Sequence, residues 1–269
     1  MEVLVVGNTA YVDDDFCAKA FPGDHVKVVA AAEARRDESS PHASWKELLQ
    51  HLDQAYEFDR VVYLSNYLTP HTDTVGEIEL LRSVFRTCAG RRVQLLYVAG
   101  PAGAEGAADA AGRTGKGIIA HAANDLCRYY AAREGVQTKI LRVPFLYTAS
   151  AALEDPFLVP LFDACSTGSA ALQGAQDAAF PLLCAEELSV LVRRIFDSWD
   201  GNFETLDVAD TFHHTVGEVG DALKALFPGL AVAYGDSAGY ALPASDVARV
   251  RYGWFQRYDL LRDLSTIQA

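Results

Sequence analysis

Through its first 147 residues the sequence alternates short apolar runs with stretches of helical spacing, and that rhythm limits the folds open to it. "EVLVVG" is a strand, "DDDFCAKAF" begins a helix and "PGDHVKVVAAA" turns into a second strand. "WKELLQHLDQA" carries apolar residues at helical spacing, and "FDRVVYLSN" is a strand whose buried run is Val61 to Leu64. "TVGEIELLRSVFRTCAG" and "KGIIAHAANDLCRYYAAREG" are helices that stop at a glycine, with the strand "RVQLLYVAG" between them. "VQTKILRVPFLY" is a strand running into a proline. Strands of this length joined by helices imply right-handed βαβ units. Near-continuous apolar runs are expected of strands covered on both faces.

The expected fold class is therefore α/β: a Rossmann-like doubly wound parallel sheet over residues 1–149, with a smaller C-terminal α/β cap over 150–269 packed closely on it. Past Tyr147 the alternation weakens. "ASAALEDPFLVPLFDACSTGSAALQGAQDAAF" has no clear period. "AEELSVLVRRIFDSWDG" and "TVGEVGDALKALFPG" are expected helices, "NFETLDVAD" a strand, and "RYGWFQRYDLLRDLSTI" aromatic-rich and then helical.

The chain has 269 residues, half of them hydrophobic, and a net charge of −13. A field of that sign disfavours nucleic acid and anionic membrane surfaces. No run of apolar residues is long enough to span a bilayer, and "MEVLVVG" is too short for a signal peptide. Cys17, Cys88, Cys127, Cys165 and Cys184 form no C-x-x-C pair and are odd in number, so they are expected as reduced, mostly buried thiols of a cytoplasmic protein, with no metal site.

The first strand ends at Gly7, where a dinucleotide-binding turn would begin. Such a turn needs three glycines: for the tight turn, for close approach of backbone to pyrophosphate, and for helix–strand packing. Here Ala10 takes the second position and Asp13 the third, followed by Asp14 and Asp15. In one reading the aspartates cap the helix and replace the phosphate as its anion. In another they face solvent, and a cofactor binds through Gly7, Asn8, Thr9, Ala10, Tyr11 and Val12. Three adjacent acids also admit a metal-cluster reading. Ser65, Asn66 and Tyr67 follow a strand end, the usual ligand position in this architecture. Glu33, Arg35 and Arg36 follow the second strand, either as a solvated helix start or as a grip on an adenosine ribose or its 2′-phosphate. His213 and His214 are adjacent, with no acid partner evident. Arg142 and Tyr147 are expected to be structural, and Trp254 and Phe255 to pack the C-terminal segment onto the core.

The order of these landmarks resembles the extended short-chain dehydrogenase/reductase family, its NAD-dependent epimerase and dehydratase branch, over nearly the whole chain. "VLVVGNTAYVDDDF" sits at the glycine motif; "VVYLSNYLTP" and "DTVGEIELLRSVFRTC" resemble the fourth strand and its helix, with Gly76 matching the family glycine and Asp73 in place of its asparagine. "LLYVAG" resembles the strand that normally ends in a serine or threonine. "HAANDLCRYYAAREGVQTKILRVPFLY" is similar to the helix and strand after the catalytic lysine. "FPLLCAEELSVLVRRIF" and "YGWFQRYDLLRDL" resemble the later segments of the cap. The resemblance implies NAD(P) chemistry driven by a Tyr-x-x-x-Lys pair. The register puts Gly117 at the tyrosine and His121 at the lysine, and no tyrosine in the chain has a lysine four residues on. The hydroxyl residue falls at Ala99, Gly100 and Pro101, which carry none.

The expectation is a catalytically degenerate member: a non-catalytic scaffold, sensor or partner-binding subunit without a cofactor. The alternatives are an NAD(P)-dependent epimerase, dehydratase or reductase with an atypical site, for which His121 is a substitute acid or base, and a dinucleotide-binding regulator. The resemblance also implies a homodimer through the helices at 74–89 and 116–134; a protein partner is the other possibility.

Overall fold

The computed structural model describes residues 1–7, 11–30, 54, 57–65, 74–100, 115–148, 158–172, 174–209, 211–236 and 247–267. Calls on Asn8, Thr9, Ala10, Glu33, Arg35, Arg36, Asn66, Tyr67, Asp73 and Pro101 lie outside them.

Six parallel strands form the central sheet: β1 (Glu2–Gly7), β2 (His25–Ala30), β3 (Arg60–Leu64), β4 (Gln94–Ala99), β5 (Gln137–Arg142) and β9 (Phe203–Asp207). Their spatial order is β2-β1-β3-β4-β5-β9. Successive side chains point to opposite faces of a strand, and each face has its own core. Val3, Val5, Val62, Leu64, Leu96 and Leu141 face one side, against helices α1 (Asp14–Ala20) and α5 (Ala185–Asp197). Leu4, Val6, Val61, Tyr63, Leu95 and Tyr97 face the other, against α2 (Thr74–Cys88) and α3 (Gly115–Arg133). On α5 the residues Leu188, Leu191, Val192 and Ile195 recur at helical spacing and are fully buried. On the other face the Phe85 ring of α2 stacks on Tyr130 of α3, with centroids 4.7 Å apart.

The sheet crosses the expected sequence division at 149/150. β9 pairs with β5, and α5 packs on α1, so part of the second half completes the first layer. The rest forms a third core. It is built from β6 (Phe145–Tyr147) paired with β8 (Leu182–Cys184), β7 (Ser169–Leu172) paired with β10 (Ala231–Tyr234), and helices α4 (Leu158–Ser166), α6 (Val216–Leu226) and α8 (Leu260–Ile267). α4 and β7 lie in the stretch that showed no period. Pro160 is the third residue of α4, where a missing N–H costs nothing because it has no intrahelical acceptor.

Helix α7 (Val247–Tyr252) and the chain after it are fastened by charge as much as by apolar contact. Lys139 of β5 is 1% exposed, and its Nζ lies 3.0 Å from Asp200 Oδ1 and 2.6 Å from Glu204 Oε2. Arg251 pairs with the same two carboxylates. Further on, Glu187 of α5 accepts from the backbone N–H groups of Arg257 (2.6 Å) and Tyr258 (3.2 Å). The Trp254 indole donates to the Glu187 carbonyl at 3.1 Å, and Tyr147 donates to Asp263 at 3.1 Å. Phe255, expected to pack with Trp254, is 48% exposed. Trp254, 4% exposed, faces inward, and its neighbour faces out.

Two predictions follow from these contacts. Gly7 has φ +110°, and a Cβ there would stand 2.1 Å from the Leu64 carbonyl oxygen. Gly7→Ala should cost about 3 kcal/mol or more in urea denaturation. Gly90→Ala, at φ +76° but facing open space, should cost about 1 kcal/mol. Burial pushes the Glu187 and Asp263 carboxyls above their usual values. A raised value means the folded chain holds the proton more tightly than the unfolded one. These groups therefore favour folding at acid pH, and the contribution is lost as pH rises through their folded values. Glu187→Ala, which strands two amide donors, should cost about 2–4 kcal/mol near neutral pH. Glu187→Gln should cost less and flatten the dependence of stability on pH above the ordinary carboxylate range.

Candidate functional site

In open parallel sheets, ligands bind outside the carboxyl ends of the strands, where the strand order reverses. Here the chain runs from β1 outward to β2 and then returns across β1 to β3. The reversal therefore lies between β1 and β3, whose carboxyl ends are Gly7 and Leu64. The absence of a Cβ at Gly7 lets the two strand ends close together.

The turn after Gly7 is described from Tyr11 on. Tyr11 is 7% exposed, and its hydroxyl donates to the Leu146 carbonyl at 3.1 Å. This side chain anchors the turn to β6 and faces the core. Val12 is half-buried against the same core. Asp13 is the N-cap of α1, in extended backbone, and its Oδ1 accepts from the Phe16 N–H at 2.7 Å. The carboxylate at the third glycine position thus satisfies an otherwise unpaired helix donor. Asp14 and Asp15 follow in the first turn, and Asp15 pairs with Lys19 one turn on.

At the carboxyl ends of β3 and β4 the structure joins Ser65, a candidate from the sequence, to polar groups that sequence reasoning passed over: Tyr63, Tyr97 and Glu77. Tyr63 and Tyr97 are register partners, and their rings stack at 5.5 Å. The Tyr63 hydroxyl lies 3.3 Å from the backbone carbonyl of Glu77 in the first turn of α2, and hydrogen-bonds its side chain as well. The Tyr97 hydroxyl hydrogen-bonds Ser65. Glu77 is 1% exposed and Ser65 3%. Burial, and then the nearby Glu77 charge, push both phenols well above their ordinary value. Within an apolar run a tyrosine reads as core, which hid this cluster. The signal available was the pair of tyrosines at matching depth on neighbouring strands.

Other candidates separate. His121 is exposed on α3, one turn after Gly117. His214, for which no acid was evident, has its Nε2 2.8 Å from Asp259 Oδ1. That partner lies 45 residues away in the sequence and only the fold brings it near. Arg142 holds Asp207 through two contacts of 2.7 Å, tying the carboxyl ends of β5 and β9. All five cysteines are free thiols, four of them buried. Among the described residues no three His, Cys, Asp or Glu side chains gather as a metal site, and no helix is long and apolar enough to cross a membrane. A cavity of about 480 Å³ opens at the opposite edge of the sheet, lined by Gly90, Arg91, Arg92, Glu134 and Gly135 among others. None of the expected site residues lines it.

No protein-family model matches the chain, and no curated protein does. Solved structures do. DesIV, a dTDP-glucose 4,6-dehydratase from Streptomyces venezuelae solved with NAD, is similar with a TM-score of 0.73 at 12% identity, covering 100% of this chain and 97% of its own. MoeE5, in complex with UDP-glucose and NAD, has a TM-score of 0.73 at 15% identity, over 99% and 97% of the two chains. UDP-glucose 4-epimerase from Thermotoga maritima, with UDP-glucose, has a TM-score of 0.71 at 13% identity, over 98% and 96%. Two of these three hold NAD, so the expectation of a protein without a cofactor gains no support from them. Over its whole length the chain has the fold of the NAD-dependent epimerases and dehydratases, the extended short-chain dehydrogenase/reductase architecture that its sequence resembles.

Proposed function

We propose that this chain binds a nicotinamide dinucleotide, NAD(P), at the carboxyl edge of its sheet, as an epimerase-, dehydratase- or reductase-type protein for a sugar nucleotide or small carbonyl compound with an atypical site. The observation that carries this reading is the end of β1: Gly7, at φ +110° and without room for a Cβ, closes the strand ends where a dinucleotide's phosphates meet the backbone. The fold likeness to proteins solved with NAD supports it. In this reading the pyrophosphate would be held by residues among Gly7, Asn8, Thr9, Ala10, Tyr11 and Val12, with Ser65 and Asn66 as further candidates. Bound NAD(P) would supply the hydride acceptor or donor. With no Tyr-x-x-x-Lys pair in the chain, the proton must be held by another group.

Asp13 sets the affinity. Its carboxylate stands at the helix end that the dinucleotide phosphates approach, and the repulsion there is on the order of 1 kcal/mol. That weakens binding and does not forbid it. A second reading is favoured by the same residue: a carboxylate that already caps the helix belongs to a non-catalytic scaffold, sensor or partner-binding subunit. Val75 on α2 and Ile118 and Tyr129 on α3 are 67%, 42% and 54% exposed, apolar surface suited to a homodimer or a protein partner.

Calorimetric titration with NAD(H) and NADP(H) separates the two readings. Saturable binding in the micromolar range supports the first. Asp13→Asn keeps the cap oxygen and removes the charge, and should tighten that binding by about fivefold. No heat at millimolar dinucleotide sinks the first reading, and sedimentation velocity would then test the dimer.

A further inference from the structure

Beyond Gly7, the carboxyl edge of the sheet carries one hydroxyl that the fold takes trouble to place. Ser65 directly follows β3, and its backbone N–H donates to the Val98 carbonyl at 3.0 Å. It therefore continues the ladder, and the register Leu64↔Val98 sets it beside Ala99. Alternation puts Tyr63, Ser65, Tyr97 and Ala99 on one face, the face covered by α2 and α3. Ala99 and Gly100 have no hydroxyl there, and Ser65 supplies one from the next strand. Its partner is the Tyr97 phenol. Tyr97 is locked by the stack on Tyr63, and Tyr63 is tied to Glu77. A buried carboxylate and two buried phenols are costly to place in a core, and here all of them converge on the strand end where ligands enter this architecture.

We infer that Ser65 is the side chain at this edge that hydrogen-bonds a carbonyl- or hydroxyl-bearing ligand, the nicotinamide nucleotide or a sugar nucleotide, and that Tyr97 is its positioning residue. The inference rests on the reading that a ligand occupies the carboxyl edge. The buried phenol stays protonated through the physiological range, so its single proton and its oxygen lone pairs fix how the Ser65 hydroxyl is oriented. Shielded from water, the Ser65 hydrogen bond to a ligand is stronger than one at the surface. Glu77 and Tyr63 act one step further back, holding the Tyr97 ring.

The test is calorimetric titration of the full chain with two probes, NADH and UDP-glucose, on the wild type, Ser65→Ala, Ser65→Thr, Tyr97→Phe and the Ser65→Ala/Tyr97→Phe double variant. Thermal midpoints monitor folding. Ser65→Ala should weaken whichever probe binds by about 3- to 10-fold, the worth of one hydrogen bond. Ser65→Thr keeps the hydroxyl and should stay within about twofold. Tyr97→Phe should weaken the same probe, and the double variant should be no weaker than Ser65→Ala alone, because the two residues act as a unit. If the wild type binds NADH and Ser65→Ala matches it, the inference is overturned and the dinucleotide reading stands; if it binds UDP-glucose alone and Ser65→Ala matches it, both fall. If UDP-glucose binds and NADH does not, with Ser65→Ala weakened, the inference holds and the dinucleotide reading falls. Binding of neither probe overturns both.

Discussion

A parallel strand without a polar face must be covered twice, and the rest of this molecule follows from that requirement. Val3 to Val6 are at most 2% exposed on either side of the ribbon. One side calls for α2 and α3, which the sequence places between β3 and β5. The other side, among the described residues, takes the seven-residue α1 from the first half. The second half sends α5 against α1 on that same side and adds β9 to the sheet. The cap is therefore no appendage. It is the far side of a chain that has to leave the sheet and return to finish it.

That return creates the electrostatic problems the structure then solves. A lysine on a strand adjoining the last-added one would be buried without compensation when α7 closes over it, and an isolated buried charge is costly. Asp200 and Glu204 flank the start of β9 and reach Lys139 from one side, while Arg251 of α7 balances the two carboxylates from the other. The Lys139 ammonium also lies 5.3 Å from the Trp199 ring centroid, within cation–π range. Glu187 solves a different problem. The segment after Gly253 has no helix or strand to pair its amides, and a buried amide needs a partner. The carboxylate of an α5 residue provides it at two consecutive positions. Its own burial raises its proton affinity, so its contribution to folding is greatest in acid and falls as pH rises through its folded value.

The sequence made local order readable and left long-range pairing hidden. β1, β3 and β4 can be found from apolar runs, because burial on both faces writes itself into consecutive residues, whereas the edge strands β2 and β9 are partly exposed. Helix ends at Gly90 and Gly135 and the cap at Asp13 can be found because their physics spans only three or four residues. β10 and β7 are four residues long and half-exposed, and α4 is apolar nearly all round, so neither shows a period. The partner of His214 is 45 residues away and that of Glu187 about 70. No spacing rule links such pairs. Phe255 and Trp254 show the same limit at close range: adjacency in sequence says nothing of which ring faces the core. Of the Tyr63–Tyr97–Ser65–Glu77 cluster, only Ser65 stands out in the sequence, at a strand end; the two tyrosines read as core within apolar strands, and Glu77 lies on α2.

The vacant Tyr-x-x-x-Lys positions and the occupied helix end at Asp13 pull differently on function. The first concerns proton transfer: a chain lacking the pair lacks one way of moving a proton, and says nothing by that about binding. The second concerns binding, and its size can be bounded. A capping carboxylate already engaged with the Phe16 amide is partly neutralised by the helix it caps, and an interaction across solvent is further screened by salt. A penalty on the order of 1 kcal/mol weakens binding of an anion without forbidding it. A chain that has this fold without the pair must place its hydrogen-bonding groups elsewhere. Among the described residues the carboxyl ends of β3 and β4 gather two phenols, a hydroxyl and a carboxylate in one hydrogen-bonded set, close to where such groups are needed.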